Sequence, residues 1–89
     1  MEGLTKCVAL EQGNSGIRVN AVAPGPTDTA MLDRFTATAE GNDALLAGVP
    51  FRRRATPEEL ANVIVFVSSP EASYIAGSVI EVDGGMSAT

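Results

Sequence analysis

The sequence predicts an α/β unit in which two neighbouring parallel strands are joined by a helical crossover. Two apolar runs rich in β-branched residues, 17–23 and 77–82, are typical of strands covered on both faces. A segment with helical periodicity, residues 1–12, precedes the first run. The stretch between the two runs is long enough for the right-handed crossover that parallel strands require.

The composition is that of an ordinary globular domain. Of the 89 residues, 45% are apolar and 19% are charged, so we expect one domain at most. The net charge of −5 argues against nucleic acid or an anionic membrane surface as a partner held by charge. No window approaches the roughly 18–20 apolar residues of a membrane span. The basic run 52–54 is interpreted as a local match to the acidic residues after it.

Metal and thiol chemistry are not indicated. Cys7 has no second cysteine and no histidine to join it, so we expect no internal disulfide and no metal site. A reduced, cytoplasmic setting is the corresponding expectation. Asp28, Asp33 and Asp43 match no known metal-ligand spacing, and we interpret them as solvated carboxylates.

The predicted first helix, 1–12, carries Leu4, Cys7 and Val8 at helical spacing, and the polar stretch 13–16 ends it. No capping residue precedes its periodic positions. We therefore expect the chain to begin inside the helix, with Met1 marking a point of truncation.

The strand predicted at 17–23 runs directly into Pro24-Gly25-Pro26, which is typical of a strand that ends in a loop. The short polar side chains of Thr27 and Thr29 follow. Ligands of open α/β sheets bind beyond the carboxyl ends of strands, so this loop is the candidate binding site. On spacing alone the alternative stays open that the loop only turns the chain and Thr29 only caps a helix.

Residues 30–48 predict a mobile pair of short helices. Apolar residues cluster at the two ends of this segment, at Met31, Leu32 and Phe35 and again at Leu45 and Leu46. Between them, residues 37–42 are small, polar and interrupted by glycine, which favours mobility.

Thr56-Pro57-Glu58-Glu59 predicts the start of a helix over 57–68, because a capping box and a proline at the first helical position coincide. An apolar stripe follows at helical spacing and is interpreted as core: Leu60, Val63, Ile64 and Val67. Asp83-Gly84-Gly85 then predicts a turn that ends the strand at 77–82. We expect Arg53 to be partly buried and paired with Glu59 or Asp83.

Several short motifs occur in one order and spacing that resembles a known family. They are Gly16-Ile17-Arg18-Val19-Asn20-Ala21-Val22-Ala23-Pro24-Gly25, Thr29-Ala30-Met31, Thr56-Pro57-Glu58-Glu59-Leu60-Ala61 and Val82-Asp83-Gly84-Gly85. Together they closely resemble the carboxy-terminal half of classical short-chain dehydrogenases/reductases, from one end of the chain to the other. The resemblance implies the carboxy-terminal part of a Rossmann-type doubly wound parallel sheet. It also implies hydride transfer between NAD or NADP and a small alcohol or carbonyl substrate.

The resemblance also implies roles for particular residues. The cofactor-binding residues would be Pro24, Gly25, Thr27, Thr29 and Met31. Pro24 and Gly25 would shape the loop, Thr27 would offer backbone to the nicotinamide carboxamide, and Thr29 with Met31 would reach the carboxamide or pyrophosphate. Residues 32–49 would form a substrate lid, with Leu32 and Phe35 as its apolar contacts.

Departures from the family pattern limit what the chain is expected to do. The family's catalytic Tyr-x-x-x-Lys has no match, since Tyr74 and Lys6 fall at other positions, and the Gly-rich cofactor turn is also absent. Arg52 and Ala55 stand where glycine is usual. We therefore assign no catalytic residue and expect no activity from the chain alone.

Two hypotheses follow from this pattern. The first is a carboxy-terminal portion of an NAD(P)-dependent short-chain oxidoreductase. The alternative is a non-enzymatic, truncated product that acts through oligomer surfaces. In either case we expect a homo-oligomer or association with the missing half of the fold, because two strands alone leave a sheet edge and apolar surface open.

Overall fold

The computed structural model describes residues 2–88 and has the predicted α/β class. The helices are α1 (Glu2–Gln12), α2 (Ala30–Thr36), α3 (Ala39–Leu46) and α4 (Pro57–Val67), and the strands are β1 (Ala21–Pro24) and β2 (Val79–Val82). β1 and β2 are neighbours in one sheet. Backbone hydrogen bonds from Ala21 to Ser78 and from Gly25 to Val82 advance in the same direction along both strands, which makes the pair parallel.

The chain forms two compact units. Unit 1 comprises the residues up to Ala23 together with Asn62–Ile80, and unit 2 comprises Pro24–Ala61 and the residues from Glu81 onward. One partial Rossmann-type domain was predicted, and no linker or change of composition in the sequence indicates this division.

Unit 1 has a small core made of short side chains. Thr5 and Ala9 of α1 are 7% and 9% exposed, and Ala72 is 1% exposed. A Cβ placed on Gly77 would lie 3.4 Å from the Cβ of Ala9, so α1 packs closely against this backbone. Leu4 and Leu10 of the same helix are 71% and 84% exposed, so most of its apolar surface is uncovered.

Both strands are shorter than predicted, and the side chain of Asn20 explains why. Its Nδ2 donates to the Ile75 carbonyl (3.0 Å) and its Oδ1 accepts from the Ser78 amide (3.0 Å). Before Ala21 these side-chain bonds accompany a single backbone bond, from the Gly77 amide to the Val19 carbonyl (2.8 Å). Gly77, with φ of 76°, has a left-handed conformation that interrupts regular strand geometry. The predictions of strands from 17 and from 77 were therefore wrong over their first residues.

The side chain of Arg18 caps the carboxyl end of α4, and the residue itself lies outside β1. Its Nη1 donates to the Val67 carbonyl (2.9 Å) and its Nη2 to the Ser69 carbonyl (3.1 Å). A cation at this position satisfies free carbonyls and complements the negative end of the helix dipole. This role accounts for an arginine within an otherwise apolar run.

In unit 2, α2 and α3 occupy the segment where a pair of short helices was predicted. Each begins at a threonine cap: Thr29 Oγ1 accepts from the Leu32 amide, and Thr38 Oγ1 accepts from the Gly41 amide. Neither helix contains a buried residue. Val49, which follows α3, is 1% exposed and is the largest fully buried side chain among the described residues.

The turn after β2 packs closely against Val49 and Pro50. Asp83 accepts through its two carboxylate oxygens from the amides of Gly85 (3.0 Å) and Ser87 (3.1 Å). Gly84 has φ of 63°, and a Cβ placed on it would lie 2.8 Å from Val49 Cγ1. Glycine is therefore required here both by conformation and by space.

Arg52 is the one residue between 47 and 56 with a positive φ, at 57°. The resemblance places a glycine at this position, and the left-handed backbone explains that preference. The loop is closed by a hydrogen bond from the Arg52 amide to the Val49 carbonyl (2.8 Å).

α4 begins with the capping box that its sequence predicts. Thr56 Oγ1 accepts from the Glu59 amide (3.2 Å), and Glu59 Oε1 accepts from the Thr56 amide (2.9 Å). The helix ends at Val67, one residue before the predicted end. Its apolar stripe is only partly covered: Leu60, Val63 and Val67 are half-buried, Ile64 is 51% exposed, and α4 contains no fully buried residue. None of the helices between residues 2 and 88 combines the length and apolar character needed to span a bilayer.

Candidate cofactor-binding site

The loop that joins β1 to α2, residues 24–29 of unit 2, is built on a close approach of two backbones. The Gly25 amide donates to the Val82 carbonyl (2.9 Å), which extends the strand pairing by one residue. A Cβ placed on Gly25 would lie 2.8 Å from the Cα of Asp83. Only glycine permits this approach, so the Pro-Gly sequence fixes where the loop leaves the sheet.

A second backbone ladder holds the same loop from its other side. Thr27 forms an isolated parallel bridge with Ala55. The Asp28 amide donates to the Ala55 carbonyl, and the Ala55 amide donates to the Pro26 carbonyl, both over 2.8 Å. The loop is therefore fixed at both ends, a geometry that suits a rigid binding surface.

Two threonine hydroxyls on this loop have complementary hydrogen-bonding capacity. Thr27 Oγ1 donates to the Gly25 carbonyl (3.0 Å), and Thr29 Oγ1 accepts from the Leu32 amide (3.2 Å). Within residues 2–88, the lone pairs of Thr27 and the hydroxyl hydrogen of Thr29 have no further partner. A primary amide needs one acceptor and one donor, so this pair fits the carboxamide of a nicotinamide. Thr29 also caps α2, as the alternative prediction for this residue stated. Capping uses its acceptor and leaves its hydroxyl hydrogen for a ligand.

The remaining predicted residues lie on α2, where two of the three are exposed. Met31 and Phe35 are 67% and 81% exposed, whereas Leu32 is half-buried. Met31 and Phe35 are four residues apart and therefore share one face of the helix. The predicted loop and lid residues thus follow one another along one short segment, with the apolar ones open to a ligand or to further protein.

Arg54 is a feature of this region that the sequence analysis missed. Its side chain is 13% exposed and donates to acceptors on three segments. Nε reaches Asn42 Oδ1 (2.9 Å), Nη2 reaches Thr36 Oγ1 (3.0 Å), and Nη1 reaches Asp33 Oδ1 (2.6 Å). A longer contact of 3.4 Å joins Nη1 to Asp28 Oδ1. One side chain therefore connects the β1–α2 loop with both lid helices.

These contacts correct two predictions. Asp28 and Asp33 are not simply solvated, since both pair with Arg54. Within the run 52–54 the partly buried arginine is Arg54 and not Arg53, whose side chain is 53% exposed. The run 52–54 gave a weak signal of this role, because nothing in the sequence separates its middle arginine from its last.

Arg53 instead forms the predicted bidentate pair with Glu59, at 2.7 and 2.9 Å. The hydrogen bond from Arg53, together with the bonds from Thr56, lowers the pKa of Glu59 to about 2. The same partner raises the pKa of Arg53. Glu59 therefore serves both the capping box and this ion pair.

A cavity of about 390 Å³ in unit 2 lies beside the Arg53–Glu59 pair and the Asp83 turn. Its lining residues are Pro26, Phe51, Arg53, Ala55, Glu59, Glu81, Val82, Asp83, Gly84 and Gly85. The hydrogen bond from Ser87 is the largest contribution that lowers the pKa of Asp83. None of the predicted cofactor or lid residues lines this cavity, so the cavity is not part of the predicted cofactor-binding site.

Tyr74 and Lys6, which do not match the family's catalytic pair, both lie on the surface. Tyr74 is fully exposed. Lys6 makes only an exposed pair with Glu2 at 3.8 Å. No group of three or more His, Cys, Asp or Glu side chains between residues 2 and 88 is arranged to hold a metal.

Comparison with known proteins agrees with this geometry. A family model described as enoyl-(acyl carrier protein) reductase matches residues 1–87. The short-chain dehydrogenase fogB of Aspergillus ruber is 42% identical over 88 residues, which are 98% of this chain and 32% of that protein. The chain belongs to the short-chain dehydrogenase/reductase family.

Other members of this short-chain dehydrogenase/reductase family match equally well. The 3-oxoacyl-[acyl-carrier-protein] reductase FabG of Thermotoga maritima is 44% identical over 84 residues, covering 94% of this chain and 33% of that protein. An Agrobacterium tumefaciens structure, described as a candidate 2-deoxy-D-gluconate 3-dehydrogenase with bound NADP, has a TM-score of 0.93 at 41% identity. The match covers 99% of this chain and 36% of the Agrobacterium tumefaciens chain. A 4-hydroxyisoleucine dehydrogenase complexed with NADH also has a TM-score of 0.93, at 28% identity, with coverages of 99% and 36%. The chain thus spans about one third of the length of its relatives.

Proposed function

We propose that this chain is the carboxy-terminal portion of an NAD(P)-dependent oxidoreductase that exchanges a hydride between a nicotinamide and an alcohol or carbonyl substrate. The observation that carries the proposal is the pair of unfulfilled hydroxyl functions on the β1–α2 loop, an acceptor at Thr27 and a donor at Thr29. Relatives described as reductases, and related structures with bound NADP or NADH, support it.

Within this proposal the loop residues position the cofactor. The resemblance implies a contact from the Thr27 backbone; we propose instead that Thr27 Oγ1 accepts from the carboxamide nitrogen and that the Thr29 hydroxyl donates to the carboxamide oxygen. Pro24 and Gly25 hold the loop at the sheet edge, and Met31 lies against the nicotinamide half. The bound nicotinamide supplies or accepts the hydride. The chain has no match to the Tyr-x-x-x-Lys pair, so we assign it no catalytic residue.

The α2–α3 segment would act as the substrate lid, with the apolar side chains of Leu32 and Phe35 towards the substrate. Phe35 is 81% exposed, which gives it apolar surface to bury when the lid covers a substrate. Such burial excludes water from the reacting carbon and favours substrates with an apolar part.

The chain would work only when assembled with further protein. Leu10 and Val65, both in unit 1, are 84% and 68% exposed, and assembly would cover this apolar surface. A second copy, or the part of the fold that the chain lacks, is the proposed partner. The alternative of a non-enzymatic oligomerisation module is favoured by the same surface and by the lack of a catalytic pair. A cytoplasmic setting is supported by the free, exposed thiol of Cys7.

The test is a hybrid enzyme in which this chain replaces the matching 84 residues of the Thermotoga maritima reductase. In this Thermotoga hybrid, T27V and T29V should each raise the KM for NADPH about 2- to 10-fold, the effect of one hydrogen bond. T29S keeps both the helix cap and the donor and should restore the KM.

S73A is the matched control, because it removes an exposed hydroxyl that has no hydrogen-bond partner in the described chain. A folded hybrid in which T27V and T29V bind NADPH as tightly as the parent hybrid would contradict the assigned roles.

A further inference from the structure

We propose that Arg54 is a positioning residue that sets the place of the α2–α3 lid relative to the β1–α2 loop. We call its ion pair and hydrogen bonds to the two lid helices the latch. The identity of the lid rests on the function proposed above. The latch itself rests on contacts of the described residues, all of which lie in unit 2.

The base of the latch is fixed. Ala55, the residue after Arg54, exchanges two backbone hydrogen bonds of 2.8 Å with the loop, one to Pro26 and one from Asp28. Movement of the Arg54 backbone would therefore break the ladder that holds Thr27. The side chain starts from a point that is rigid with respect to the proposed cofactor site.

The other end of the latch holds both lid helices. On α2, Asp33 accepts from Nη1 at 2.6 Å and Thr36 accepts from Nη2 at 3.0 Å. On α3, Asn42 accepts from Nε at 2.9 Å. The planar guanidinium presents its donors in a fixed fork, so these three acceptors can be satisfied together only in one arrangement of the two helices.

Few other contacts hold α2 and α3 in place. Neither α2 nor α3 has a buried residue, and Met31 and Phe35 face solvent. Apolar contact of the two helices is therefore partial, through half-buried side chains such as Leu32, Leu45 and Leu46. The Arg54 side chain is 13% exposed while Asp33 is 66% exposed, so salt and water reach the acceptor side of the pair. Breaking the contacts of one residue should release both helices together.

The first test is amide hydrogen exchange of the 89-residue chain, compared between peptides from residues 30–46 and from 57–67. R54M should speed exchange in 30–46 at least tenfold, the order of one lost charged hydrogen bond, and leave 57–67 unchanged. R34M is the matched control, because Arg34 also lies on the lid, is exposed, and makes no hydrogen bond or ion pair with the described residues. Raising KCl from 50 to 500 mM should also speed amide hydrogen exchange in residues 30–46 of the wild-type chain.

Equal exchange in R54M and wild type, or equal acceleration in both segments, would overturn the latch, the second result marking Arg54 as a general stabilising residue. Neither result depends on oxidoreductase activity, so failure here is distinct from failure of the proposed function. In the Thermotoga hybrid, R54M should raise the substrate KM about tenfold with kcat within about twofold, and R54K should recover part of the loss. A fall in kcat with unchanged KM would contradict a lid-positioning role.

Discussion

At the residue scale, polar side chains hold this chain together more than apolar ones do. Arg18, Asn20 and Arg54 each satisfy backbone or side-chain groups on segments far away in sequence. The buried apolar residues of the described chain are few and small, Val49 being the largest. Substitutions that disturb the surroundings of Val49 should therefore have large effects.

G84A tests this point. Alanine at φ of 63° costs roughly 1–2 kcal/mol, and its Cβ would meet Val49 Cγ1 at 2.8 Å, so the free energy of unfolding should fall by about 2–4 kcal/mol. Urea unfolding of the chain measures it. G48A is the control, since a Cβ there meets nothing within 4 Å. Equal midpoints for the two variants would show that Gly84 is not constrained as described.

Residue by residue, the sequence predicted what depends on local chemistry and missed what depends on tertiary contact. The capping box of Thr56 and Glu59 and the turn at Asp83 are local and were predicted correctly. The role of Arg54 depends on acceptors 12 to 26 positions away, which no sequence periodicity indicates. The early strand ends were missed for the same reason, because the Asn20 side chain bonds residues 55 and 58 positions later.

At the element scale, α4 is the most strongly specified helix. Its start is fixed by the capping box and by the bidentate Arg53–Glu59 pair, and its end by Arg18. Its apolar stripe was predicted as core and is only partly covered, since Leu60, Val63 and Val67 are half-buried and Ile64 is exposed. Local capping therefore determines where this helix begins and ends, while the burial of its apolar face depends on tertiary contacts.

The acid response of α4 follows from Glu59. Its pKa is lowered in the folded state from the ordinary 4.5 to about 2, so its contribution to stability is present above pH 4.5 and is lost as the pH falls towards 2. E59Q should be less stable at pH 7 and should lose less stability between pH 5 and 2. Urea unfolding followed by circular dichroism across this range is the measurement.

E58Q is the control, because Glu58 shares the first turn of α4 but makes no hydrogen bond with the described residues. The lowered pKa of Asp83 leaves a residual acid response in E59Q. An acid response of E59Q as steep as that of wild type would exclude Glu59 as its source.

At the scale of the whole molecule, the chain belongs to the short-chain dehydrogenase/reductase family and spans about one third of its relatives. The fold class and this membership could be predicted because several motifs keep their order and spacing. The division into two units could not, because it depends on which contacts form among residues that are far apart in the chain.

The most direct test of the central proposal is titration with NADPH and NADH and turnover by the Thermotoga hybrid, with its fold checked by circular dichroism and its assembly by size-exclusion chromatography. For whichever of the two cofactors the parent reductase binds, we predict a Kd of the hybrid within about tenfold of the parent's, together with carbonyl reduction, whereas the 89-residue chain alone shows no turnover. A hybrid that folds and assembles like the parent but does not bind the parent's cofactor would contradict the proposal.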